Sequence, residues 1–226
     1  MRGCFVTGTD TGVGKTVVAA AITASLHARG VRVRPFKPII TGLDDRPAPE
    51  WPHDHEILAG AADCLPEDVI LAGYGPPVSP HLALELSGQD LDPPTLVSAI
   101  AAAARDGELL VVEGVGGLLA PITPGYSVRR LAIDIGLPLV IAARPGLGTI
   151  NHTLLTLEAA RASNLDIAGV VLTPWPEAPS EIERSNRVTI EKLGHVAVAT
   201  LPYLDRAEPE LLAGAGEVLP LDEWLL

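Results

Sequence analysis

The run Val6-Thr7-Gly8-Thr9-Asp10-Thr11-Gly12-Val13-Gly14-Lys15-Thr16 decides how the rest of the chain is read. Before it, Cys4 to Thr7 is a short apolar strand. After it, Lys15 to Arg29 reads as a helix closed by Gly30, a residue suited to the turn past a helix end. Strand, loop of small residues and a helix opening on Lys-Thr form the context a phosphate-binding loop requires. Small residues let the backbone wrap closely, so that its N–H groups and the positive end of the helix face phosphate oxygens. Gly12, Val13, Gly14 and Val17 would form this cradle, with Lys15 reaching the outer phosphates and the Thr16 hydroxyl ligating Mg2+. The usual G-x4-G-K-[ST] spacing fails by one place, because position 9 is Thr and Gly8 stands too early.

Outward from this loop the rhythm is strand, helix, strand. Val31 to Lys37 reads as a second strand, and 38–54 as a loop rich in Pro, Asp and Gly. His55 to Ala62 and Pro80 to Leu86 read as short helices, parted by the break Gly73-Tyr74-Gly75-Pro76-Pro77. Pro93-Pro94 opens a helix through Ala104, as Pro does in a first turn. Leu109 to Glu113, Pro138 to Ala143, Ile167 to Leu172 and Val196 to Leu201 are aliphatic strands. Helices near 127–136, 149–162 and 180–193 connect them. Such alternation predicts an α/β fold with a doubly wound, mostly parallel sheet and helices on both faces. The 226 residues show no internal repeat or linker, so one domain over 1–226 is expected.

Composition narrows the function. Hydrophobic residues make up 47% of the chain and aromatics only 4%, so the core is aliphatic, as buried parallel strands prefer. A net charge of −12 without basic blocks argues against nucleic acid and anionic membrane surfaces as partners. Cys4 and Cys64 supply neither a disulfide framework nor a zinc site. The first residues run straight into a strand without a signal-peptide layout, and no apolar run approaches the ~20 residues of a membrane helix. A cytoplasmic enzyme is the expectation.

The loop variant Gly8-Thr9-Asp10-Thr11-x-Val13-Gly14-Lys15-Thr16 resembles that of the dethiobiotin synthetases. Four further blocks follow in that family's order: Lys37-Pro38-x-x-Thr41-Gly42, Ser79-Pro80-His81, Val112-Glu113-Gly114-x-Gly116-Gly117 and Gly148-Thr149-Ile150-Asn151-His152. The resemblance implies a Mg-ATP-dependent ligase acting on 7,8-diaminopelargonic acid and CO2. One amine takes up CO2 as a carbamate, the ATP γ-phosphoryl group is transferred to it, and the second amine closes the ureido ring. It also implies a homodimer with the substrate site at its interface.

Phosphoryl transfer is mostly positioning and charge neutralisation, so cations, a metal and rigid backbone donors are wanted. Lys37, expected at a strand end on the sheet's C-terminal edge, is a cation able to clamp carbamate and γ-phosphate; the resemblance gives it that role, beside Lys15 and Thr11. Thr16, Asp54 and Glu113 are the candidate metal ligands. Glu113 ends four apolar residues, where an acid of this loop class stands; Asp54 is selected by the resemblance alone and fits equally well as a helix N-cap. His53 and His55 read as surface residues, and His152 as structural. The resemblance brings Thr11, Thr41 and Gly116 to the carbamate and diamine, and Gly148, Thr149 and Asn151 to the carboxylate end of the substrate. Thr11 and Thr41 could instead cap a helix or turn, and Thr149 or Asn151 would make ordinary N-caps.

The chain departs from the family at two places. Where an Asn commonly reads adenine after the fifth strand, it has Thr173-Pro174-Trp175-Pro176, and Thr lacks an amide's paired donor and acceptor. Weak base reading, with other nucleoside triphosphates replacing ATP, is the expectation. Position 12 is Gly where an acid also occurs. Three other readings compete. A partitioning-type switch ATPase would carry Lys at position 10, which is Asp10, and a basic tail, whereas 216–226 is acidic and apolar. A cobyrinate-type amidating ligase would need a glutamine-hydrolysing domain. A non-catalytic nucleotide-binding module would not need Lys37, Thr41 and Glu113 beside the loop.

Overall fold

A computed structural model describes residues 1–45, 47–104 and 107–225. In chain order it contains β1 (Gly3–Gly8), α1 (Lys15–Ala28), β2 (Val33–Thr41), α2 (Asp54–Ala61), a 3-10 turn (Pro66–Asp68), β3 (Ile70–Tyr74), α3 (Pro80–Ser87), α4 (Pro93–Ala103) and β4 (Leu109–Glu113). Then come a small hairpin of β5 (Pro121–Thr123) and β6 (Tyr126–Ser127), α5 (Val128–Ile135), β7 (Leu139–Ala143), α6 (Thr149–Arg161), β8 (Ile167–Trp175), α7 (Glu181–Gly194), β9 (Val198–Pro202), α8 (Pro209–Gly216) and α9 (Leu221–Leu225).

Seven strands form one sheet in the order β3-β2-β4-β1-β7-β8-β9, and every pairing in it is parallel. The alternation of strand side chains divides the core into two layers. Cys4, Val6, Val111, Val140 and Ala142 point to the side of α1, α2, α8 and α9. Phe5, Leu110, Val112, Leu139 and Ile141 meet α3 to α7 on the other. All six residues of β1 are buried, which explains why the central strand reads as a continuous apolar run. β1 stands between β4 and β7, the point from which the chain winds both ways, and in such sheets ligands bind beyond the strands' carboxyl ends.

The expected fold class and six principal strands are found, with several local differences. β2 does not end at Lys37 but continues to Thr41, because β3 pairs with it, Ile39 opposite Ala72 and Thr41 opposite Tyr74. Pro38 disguises that extension, and β3 falls partly inside the expected Gly-Tyr-Gly break; it is an edge strand with half its side chains towards solvent. β8 runs on to Trp175, through residues expected to begin a loop, with a cis Thr173–Pro174 bond. The tail carries two unexpected helices: α8 lies so close to α1 that a Cβ on Gly216 would come within 2.3 Å of the Ala21 carbonyl oxygen, and α9 lays Trp224 over Gly169. Residue 226 of the acidic, apolar tail lies outside the described residues.

Candidate active site

The loop between β1 and α1 has the shape its sequence demands. The Thr9 N–H donates to the Ala142 carbonyl at 3.0 Å, tying the loop to β7. Gly12 and Gly14 adopt φ of +67° and +90°, the left-handed region that side-chain-bearing residues avoid. Gly14 has a second reason: an added Cβ would lie 2.6 Å from the Thr173 methyl carbon. The first bond of α1 runs from the Val18 N–H to the Gly14 carbonyl, so the amides of residues 15–17 precede it. No side chain caps this end and no acid stands in the first turn, which leaves it free for an anion. Lys15 is buried and folds back so that its ammonium donates to the Asp10 carbonyl at 2.9 Å. Burial pushes the Lys15 ammonium below its usual range; Glu113 opposes that shift and Lys37 adds to it.

The second half of the site is an ionic knot across three elements. Lys37, inside β2 and only 3% exposed, donates to Glu113 Oε1 at 2.5 Å and pairs with Asp54 Oδ2 at 2.7 Å. The Thr16 hydroxyl donates to the same Glu113 oxygen at 2.9 Å. Burial opposes the Lys37 charge, but Glu113 and Asp54 overcome it and lift Lys37 above the ordinary lysine range. Burial likewise would raise Asp54; Lys37 and the Thr16 hydroxyl instead hold it below the usual carboxylate range. Glu113 is the strained member: burial drives its carboxyl up against the pull of Lys37.

Asp54 is therefore not the N-cap of α2. His53 takes that position in a capping box with Glu56, freeing Asp54 in the first helical turn to face Lys37. Glu113 Oε2 is buried without a hydrogen-bond partner among the described residues. An orphaned carboxylate oxygen beside a threonine hydroxyl and a second carboxylate is a hard, all-oxygen donor set, and it fits Mg2+.

Two cavities meet here. The smaller, about 510 Å3, is lined by Gly12, Gly14, Lys15, Thr16, Val17, Lys37 and Glu113, with Trp51 and Ile57 at its wall. The larger, about 920 Å3, runs past Thr9 and Asp10, the end of β2, Ser79, residues 115–120 and the α6 side chains His152, Leu155 and Thr156. Thr11, Thr41, Pro52, Asp54, Val115 and Gly116 line both. Most expected site residues thus converge. Val13 is buried and would serve through its backbone only. Thr173 lines neither cavity; it is buried behind the loop with its methyl against Gly14.

Gly148, Thr149 and Asn151 also line neither cavity. Gly148, in a left-handed conformation, is the N-cap of α6, so neither Thr149 nor Asn151 takes that role. The Thr149 side chain is buried, with its hydroxyl 3.4 Å from that of Thr153, while Gly148 and Asn151 are exposed. His152, expected to be structural, lines the larger cavity. Sequence reasoning missed Trp51, whose indole N–H donates to the Asp205 carbonyl at 3.0 Å, and Arg144, which bonds to the phosphate loop. The available signal for Trp51 was an aromatic residue in an aromatic-poor chain; Arg144 gave none.

Known proteins resemble this chain in sequence and in fold. A family model described as "AAA domain" matches residues 2–210. The ATP-dependent dethiobiotin synthetase BioD of Anaeromyxobacter sp. (strain Fw109-5) is 39% identical, over 87% of this chain and 91% of its own length. That of Mycobacterium avium (strain 104) is 41% identical over 87% and 85%, and that of Bacillus subtilis (strain 168) 35% over 88% and 85%. Among solved structures, cobyrinic acid a,c-diamide synthase from Mycobacterium smegmatis with bound ADP and magnesium has a TM-score of 0.56 at 15% identity, covering 98% of this chain and 94% of that one. A Cyanothece McdA variant in complex with ATP has a TM-score of 0.54 at 12% identity, covering 99% and 93%. At such identities these two establish the fold alone. With its relatives matched along most of their length, the chain belongs to the ATP-dependent dethiobiotin synthetase family.

Proposed function

We propose that this chain joins CO2 to 7,8-diaminopelargonic acid and closes the ureido ring of dethiobiotin at the expense of ATP, the penultimate step of biotin biosynthesis. The observation that carries the reading is Lys37, a buried cation held by two carboxylates where the phosphate cavity adjoins a cleft large enough for a nine-carbon diamine.

The reaction proceeds in three balanced steps. One amine adds to CO2, forming an N–C bond and losing a proton, and the Thr11 and Thr41 hydroxyls with the Gly116 backbone orient the carbamate. A carbamate oxygen then attacks the γ-phosphorus, and the bond to the bridging oxygen of ADP breaks. Lys37 neutralises the carbamate and γ-phosphate that must approach each other, while Lys15 and the amides of residues 12–17 take up charge on the leaving diphosphate. Finally the second amine attacks the carbamoyl carbon, the C–O bond to phosphate breaks, and the amine sheds its proton. Thr16, Asp54 and Glu113 would hold Mg2+, which supplies charge neutralisation on the phosphate oxygens. Leu119 and Leu155, both more than half exposed on the wall of the larger cavity, suit the hydrocarbon chain.

A second copy of the chain completes the site in this proposal. Gly148 and Asn151 are exposed and line neither of the two cavities described, and Leu147 beside them is 96% exposed. That segment would meet the substrate carboxylate across a homodimer interface, Thr149 contributing through its backbone. Among the described residues no helix is long and apolar enough to cross a membrane, and we place the reaction in the cytoplasm, where ATP is supplied.

The test is phosphate release from Mg-ATP with and without diamine and bicarbonate. Release should require both, and Lys15→Ala and Lys37→Ala should lower it by roughly a hundredfold or more. Release indifferent to the diamine would overturn the proposal.

A further inference from the structure

Arg144 follows β7, whose Ala142 is in register with Gly8 of β1, so it projects alongside the phosphate loop. Its guanidinium donates to the Gly12 carbonyl through Nη2 at 3.1 Å and through Nε at 3.4 Å. The residue is exposed and lines neither cavity, so it acts on the loop from outside. Its backbone is anchored in turn. Asn186 of α7, 6% exposed, donates its amide to the carbonyls of Pro145 at 2.9 Å and Gly146 at 3.1 Å. The absence of a side chain at position 12 belongs to the same arrangement, since an added Cβ would stand 3.3 Å from Arg144 Nη2.

We infer that Arg144 is a positioning residue for nucleotide binding, acting through the Gly12–Val13 peptide bond. A carbonyl that accepts from a cation is polarised, and polarisation passes through the amide to its N–H. The Gly12 carbonyl and the Val13 N–H belong to one peptide unit. Arg144 therefore fixes that unit's orientation and makes the Val13 N–H a stronger donor to a nucleotide phosphate. The fork geometry matters, because two nitrogens on one oxygen set the direction as well as the charge. Arg144 and Asn186 thus carry the β7–α6 connection's position to the phosphate loop.

The inference rests on residues 8–16 being the nucleotide site, and the experiment separates the two. ADP binding in the presence of Mg2+ is measured by calorimetry on the full chain and on Arg144→Ala, Arg144→Lys and Lys15→Ala. Arg144→Ala should raise the ADP Kd about tenfold, with the melting temperature held within about 2 °C because the residue is exposed. Guanidinium ion in the tens of millimolar should restore part of the affinity, a response that a loss of folding would not give. Arg144→Lys keeps the charge without the fork and should weaken binding by about threefold. An ADP Kd within twofold of wild type for Arg144→Ala, or for Arg144→Lys if the alanine variant does not fold, overturns the inference. Wild-type affinity in Lys15→Ala would instead overturn the placement of the nucleotide itself.

Discussion

Replacing Lys37 by Met removes one charge and leaves another stranded. Glu113 has a side-chain exposure of 0% and Lys37 is its ion-pair partner at 2.5 Å, so the variant buries a carboxylate without its counter-ion. Breaking a buried pair in this way costs roughly 3–5 kcal/mol. Two features put the cost at the low end. Asp54 has a side-chain exposure of 42%, so water screens the charge it loses. Lys15, whose ammonium burial and Lys37 both push down, is relieved when Lys37 goes. About 3 kcal/mol in a chain of this length corresponds to a fall in melting temperature of roughly 6–12 °C.

The deficit should depend on pH with a definite sign. Burial raises the Glu113 carboxyl in the folded protein, and without Lys37 nothing of comparable strength pulls it back. A carboxyl raised on folding contributes stability below its unfolded value and loses it as pH climbs through the folded value. Lys37→Met should therefore lie closer to wild type near about pH 5.5 than near about pH 8. The double variant Lys37→Met/Glu113→Gln, which removes the stranded charge, should recover most of the melting temperature without activity. Thermal unfolding followed by circular dichroism reads all three proteins. A Lys37→Met protein melting with wild type at both pH values, or a double variant no more stable than the single one, would refute the reasoning.

Three further outcomes are expected. Thr173 offers no amide to a base, so kcat/KM for CTP and GTP should lie within about tenfold of ATP, a factor worth about 1.4 kcal/mol; a hundredfold preference for ATP would show that the base is read elsewhere. Thr16→Val should raise the Mg2+ concentration for half-maximal activity by about tenfold and lower the melting temperature by roughly 2–4 °C, since the hydroxyl that is lost also donates to the buried Glu113 carboxylate. Burial lifts the Cys4 thiol to about 12, whereas Cys64 is only partly buried, so a thiol reagent at neutral pH should modify Cys64 alone and reach Cys4 only after denaturation.

What the sequence disclosed follows from how local each signal is. The phosphate loop depends on residues close along the chain, and its strand–loop–helix setting is visible in order, so Lys15 and Thr16 open the helix where expected and line the smaller cavity. Strands buried on both faces, such as β1, β4 and β7, read as aliphatic runs. β3 did not, because an edge strand need be apolar on one face only, and α8 and α9 are short pieces defined by their packing on the rest of the fold. Asp54 shows the limit more sharply. Its neighbours allow a cap or a ligand equally, and only the folded chain shows His53 taking the cap while Asp54 faces Lys37 on a separate strand. Arg144 was invisible because its partner is a backbone carbonyl across the sheet, and no residue type announces that. The inward turn of the Thr149 hydroxyl to Thr153 was likewise not legible, since nothing in the motif containing it announces that contact.

The central claim is that one site phosphorylates a carbamate and then closes the ring, and the fate of an oxygen atom tests it most directly. The protein is given the diamine, Mg-ATP and bicarbonate freshly labelled with heavy oxygen, and the products are read by mass spectrometry before the label exchanges with water. The account predicts dethiobiotin and phosphate in a one-to-one ratio, with one labelled oxygen carried from carbonate into the phosphate. Phosphate free of label, or formed without dethiobiotin, would contradict it.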